Sequence, residues 1–145
     1  MMDQKILHIF IALLTVFFIC LVLSYHGWRC NGNLFSGECG KQEHMKITGY
    51  LLLITGIFSC ISATLVYISM LAYRKWLEIA VVITTIITAI LALFGVFYYY
   101  YHNHEKYLSP LISSAATTLS FVFMGMMIMD LLIARLDSAS SPSFT

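Results

Sequence analysis

Charge is scarce in this chain. Lys and Arg number 8 and Asp and Glu 7 among 145 residues, 10% in all, while 60% of the residues are hydrophobic. A soluble domain carries about 25% charged and about 45–50% apolar residues, so this chain lacks the polar surface that water requires. Lipid must be its solvent. The net charge of +1 and the absence of any Lys/Arg cluster exclude a phosphate-reading face, and with it nucleic acid as a partner. Thiol oxidoreductases need a C-x-x-C pair, and none is present. A haem-bearing bundle needs His on facing helices, and only His8 falls within an apolar run. His102, His104 and Glu105 form an H-x-H-E cluster that lacks the tetrahedral ligand set zinc takes. The expectation is a non-catalytic protein with no cofactor and no metal.

Long apolar runs are what the chain has instead: Ile6–Ser24, Ile47–Leu71, Leu77–Tyr101 and Leu111–Ile133. A bilayer core of roughly 30 Å takes about 20 residues of helix. Backbone groups in lipid must bond within their own segment, which makes helix the expected state. The first run exceeds the roughly 7–15 residues of a signal-peptide core and has no clean cleavage site, so a retained helix is expected. The links "AYRKW" and "HNHEKYLSP" are short, which makes neighbouring helices antiparallel. The fold class expected is an all-α membrane protein, one domain over residues 1–137. It is an up-down bundle of four transmembrane helices, at about 6–24, 47–71, 77–101 and 111–133, with a loop at 25–46. Residues 138–145, "SASSPSFT", read as a disordered polar tail.

Within the runs, a few residues stand out. The fourth opens "SPLISSAATTLS", whose small residues let helix backbones approach closely. Ser113, Ala116, Thr117 and Ser120 are candidates either for packing inside the bundle or for docking a partner's helix. Asp130 is a carboxylate within an apolar segment, a functional candidate by its cost in lipid. It is also near enough to Arg74, Lys75 and Arg135 for a structural ion pair, and Glu78 reads the same way. His8 reads as a polar anchor at the interface. The tyrosines of "FYYYYH" point all round their helix and suit an aromatic belt. Cys20 and Cys60 fall in mid-helix and read as small apolar residues that stay reduced.

The loop "SYHGWRCNGNLFSGECG" at 24–40 carries Trp28, Arg29, Cys30 and Cys39. Orientation rests on it, because the eight basic residues divide evenly: Lys5, Arg74, Lys75 and Arg135 against Arg29, Lys41, Lys46 and Lys106. If Cys30 and Cys39 pair, this loop faces an oxidising compartment and both termini are cytoplasmic. Gly27-Trp28, Cys30 and Cys39 in the first loop of a four-helix chain resemble the claudin superfamily. That group spans claudins, the peripheral and epithelial membrane protein group, and the calcium-channel gamma and AMPA-receptor auxiliary subunits. Here the first extracellular loop is shortened, with room for a hairpin. The resemblance implies a Cys30–Cys39 disulfide bracing that hairpin and a partner-binding role for Trp28 and Arg29. It implies a plasma-membrane auxiliary or scaffolding subunit of a channel or receptor complex. A junction or adhesion protein that binds its own copies is the alternative, and a small transporter or membrane enzyme using Asp130 is a third. Expected partners are membrane lipids and other integral membrane proteins.

Overall fold

The computed structural model describes residues 2–25, 28, 41–72, 74–102 and 108–140. Four helices make up the fold: α1 (Met2–Ser24), α2 (Glu43–Leu71), α3 (Lys75–His102) and α4 (Leu108–Ser140). All four are long and apolar enough to cross a membrane, the make-up of an integral membrane protein. Each extends past its apolar run, because helical hydrogen bonding continues into the interface after apolarity ends. Pro110 sits in the first turn of α4, where a missing N–H costs nothing. The far end of α4 departs most from expectation. It runs on to Ser140, into the segment expected to be disordered; residues 141–145 lie outside the described ones. "LLIARLDSAS" carries good helix formers, and Ser138 and Ser140 donate to the carbonyls of Ala134 and Asp137 within the helix.

The helices form a ring. α1 packs on α2 and α4, α3 packs on α2 and α4, and the backbones of the diagonal pairs stay apart. One end of the bundle, the turn end, holds the start of α1, the link between α2 and α3, and the end of α4. The other, the loop end, holds the end of α1, the start of α2 and the end of α3.

Burial follows a strict 3–4 spacing. On α1 the inward line is His8, Ala12, Thr15, Ile19 and Val22. On α2 it is Met45, Thr48, Leu52, Thr55, Ser59, Ser62 and Val66. This 3.5-residue repeat keeps one face on the neighbours, as in left-handed bundles. The outer faces are Ile, Leu and Phe, such as Ile6, Phe10, Leu13 and Phe17 on α1. Among the described residues, eleven of the twenty-five buried non-glycine side chains are polar. The share is high for a core, where Ser and Thr are seldom fully buried in soluble proteins, and fits lipid outside. Most buried hydroxyls spend their proton on their own helix: Thr15 on Ile11, Thr48 on His44, Thr55 on Leu51, Thr85 on Val81, Thr117 on Ser113. Such bonds satisfy the donor in a medium without water. Gly56 lies at the α1–α2 crossing, where a Cβ would come within 3.1 Å of Ile19 Cγ2.

Candidate functional site

Three places gather polar or aromatic side chains. The first is the loop end. A helix leaves its last four carbonyls without partners. In α1, Tyr25 N–H donates to the Leu21 carbonyl (2.8 Å) and Trp28 Nε1–H to that of Val22 (3.1 Å). The Trp28 indole is 1% exposed. It meets Tyr99 edge to face at 5.2 Å and shares a cluster with Val22, Met45, Leu52 and Tyr99. Trp28 therefore sits inside the end of the bundle, packed on three helices. A ring packed on the helix ends is what a Trp at the base of the first loop is expected to provide, and residue 28 is fixed to the bundle there. The tyrosine belt is corrected, since Tyr99 turns inward and is only 2% exposed, while Tyr100 and Tyr101 remain outward. Beside it, His44 of α2 stacks on His102 of α3 at 5.7 Å, nearly parallel. Among the described residues no three His, Cys, Asp or Glu side chains gather as metal ligands. Arg29, Cys30, Cys39, His104 and Glu105 lie outside the described residues.

The second place is the turn end, where a cleft of about 90 Å³ opens between all four helices. Lys5 and His8 come from α1, Ser69 from α2, Glu78 from α3 and Asp130 from α4, over a floor of Val66, Val82 and Met127. His8 Nε2 lies 3.2 Å from Asp130 Oδ2. The contact is close but lacks the alignment of a hydrogen bond. His8 is buried and Asp130 is 40% exposed on its side chain, so the carboxylate keeps a polar outlet into the cleft. The expected ion pair of Asp130 with Arg74, Lys75 or Arg135 is thereby corrected to His8. Arg135 is five residues on, about 140° round the helix, whereas the inward line of antiparallel α1 brings His8 directly against Asp130. The signal was present: His8 begins the 3–4 inward line of α1, a position an interfacial anchor would not need. His8 also meets Phe123 edge to face at 6.2 Å.

The small-residue stripe of α4 faces inward. Ser113, Ala116, Thr117 and Ser120 are all buried, and the chain's own helices occupy the face on which a partner helix would dock. Cys20 and Cys60 are unpaired and turned outward. A third group lies midway along the axis, where Thr15, Ser59, Ser62, Thr85, Thr88 and Ser120 surround a cavity of about 10 Å³.

These features define a four-helix membrane protein with many buried hydroxyls, a first-loop Trp seated on the bundle and a charged cleft at the turn end. Comparison with protein-family models, curated proteins and solved structures finds no match.

Proposed function

We propose that this protein is a non-catalytic tetraspan that binds other integral membrane proteins, as an auxiliary or scaffolding subunit of a channel or receptor complex. The observation that carries this reading is the seating of Trp28. A Trp wedged between the ends of three helices fixes residue 28 on the bundle, a firm base that suits a loop used for recognition. The interior supports the same reading, because its small hydroxyl residues are engaged in helix packing. The likeness to claudin-type tetraspans, the Cys30–Cys39 disulfide, the plasma-membrane location and cytoplasmic termini belong to this proposal. The test is purification of the full chain from its native membrane in mild detergent, with mass spectrometry and native mass measurement. A stoichiometric membrane-protein partner whose recovery falls in Arg29→Ala supports the reading. A strictly monomeric chain at native expression overturns it.

The contact of His8 with Asp130 inside a cleft favours a second reading, a small transporter that exchanges protons through this pair. Histidine and carboxylate together can hand on a proton, and an intramembrane carboxylate commonly serves that use. Proteoliposomes carrying an internal pH dye test it. Proton leak above empty vesicles that Asp130→Asn abolishes supports transport, and equal leak in both removes its basis.

A further inference from the structure

We propose that Ser59 and Ser62 of α2 bind a single buried water molecule at the centre of the bundle, midway across the membrane. The two serines are 4% and 3% exposed, and neither hydroxyl has a protein partner among the described residues. Both line the axial cavity, to which every helix contributes. Its volume of about 10 Å³ lies at the lower end of the roughly 10–15 Å³ that one water centre needs.

The hydrogen-bond inventory closes around one water. A buried water makes about three bonds, within a range of 2–4. Ser59 and Ser62 are three residues apart on one helix face, close enough for both hydroxyls to donate to one oxygen. The other four hydroxyls of the cavity have already donated to their own helices: Thr15 to Ile11, Thr85 to Val81, Thr88 to Thr84, Ser120 to Ala116. Each keeps a lone pair, so they are acceptors for the two protons of the water. Donors from α2 and acceptors from α1, α3 and α4 make a complementary set, which random small-residue packing does not require. In hydrocarbon, two unpaired hydroxyls have no solvent to turn to.

The cleft and the chamber lie next to each other along the helices. Each helix supplies one cleft residue about a turn from a chamber residue: His8 below Ala12, Val66 below Ser62, Val82 below Thr85, Met127 below Phe123. Phe123 lines the chamber and also meets the His8 imidazole of the cleft edge to face at 6.2 Å. In this proposal, water from the turn-end cleft reaches the serines past that ring. Once in place, it bridges helices whose backbones stay apart across the diagonal.

Water-edited solid-state NMR on the labelled full chain in liposomes tests the site. Magnetisation from water should reach Ser59 and Ser62 Cβ several-fold faster than the buried side chain of Ile19. Build-up as slow as at Ile19 overturns the proposal and means dry serines bonded back to their own helix. A second measurement is the unfolding midpoint of Ser59→Ala/Ser62→Ala in detergent. A hydrated site predicts a lower midpoint than the native chain, because the water loses its donors. A higher midpoint means that two unsatisfied hydroxyls were removed, and overturns the proposal. If the double variant fails to insert, the NMR measurement on the native chain decides alone.

Discussion

At the scale of single residues, two side chains carry most of what distinguishes this bundle. Trp28 fills the loop end, so Trp28→Ala should destabilise the fold by about 3–5 kcal/mol, the usual cost of deleting a large buried aromatic. Trp28→Phe keeps a ring but loses the bond to Val22, which adds about 0.5–1.5 kcal/mol to a smaller packing loss. Unfolding of both in detergent, followed by tryptophan-independent circular dichroism, gives the order. The His8–Asp130 contact should appear as coupling. His8→Leu and Asp130→Leu each leave one polar partner in an apolar setting, so the double variant should be less destabilised than the two single effects summed, by about 0.5–3 kcal/mol. Strict additivity would mean the contact is inconsequential. Neither role was fully legible. Trp28 stood out by type and place, but nothing in the sequence states that its ring turns in on Tyr99. His8 read as an isolated anchor because its partner lies at the other end of the chain, and proximity across antiparallel helices is a property of the ring.

At the scale of elements, the helices themselves were plain, because a run of some twenty apolar residues has one stable state in lipid. Their ends were not. Apolarity stops at Ile133, whereas α4 continues to Ser140, since intrahelical bonds depend on propensity as well as on lipid. Which face turns inward was also hard to read, because in membranes the buried side is marked by smallness and hydroxyls as much as by apolarity. The α4 stripe was legible as small but open as to whether it met this chain or another. Gly56 gives an element-scale prediction. Its Cβ position is within 3.1 Å of Ile19, and Ile holds a stiff rotamer in a helix, so Gly56→Leu should push α1 off α2. The expected result is a loss of about 1–3 kcal/mol, the range of overpacking, with faster proteolysis of the first loop. Gly125 has nothing near its Cβ position, and Gly125→Ala should be neutral or slightly stabilising by helix propensity.

At the scale of the whole molecule, the proposed loop disulfide and the ring of helices set different tests. A Cys30–Cys39 bond closes a short loop and should stabilise by about 2.5–3 kcal/mol on chain-entropy grounds. Non-reducing peptide mapping of surface-derived protein should find the pair joined, with Cys20 and Cys60 as free thiols. Free thiols at 30 and 39 would remove both the disulfide and the orientation argued from it. The ring has a consequence for biosynthesis. α1 is made first, yet one of its two neighbours, α4, is made last, and their contact completes the circle. Until α4 emerges from the translocon, the α4-facing side of α1 and the His8 imidazole await their partner, and α2 and α3 form the hairpin that must hold the nascent assembly. A chain stopped before residue 108 should therefore insert three helices and then be recognised as incomplete, with a half-life far shorter than that of the full chain in a pulse-chase experiment. Supplying α4 as a separate polypeptide should restore survival, because the last interface is formed between finished helices and needs no covalent link to the third.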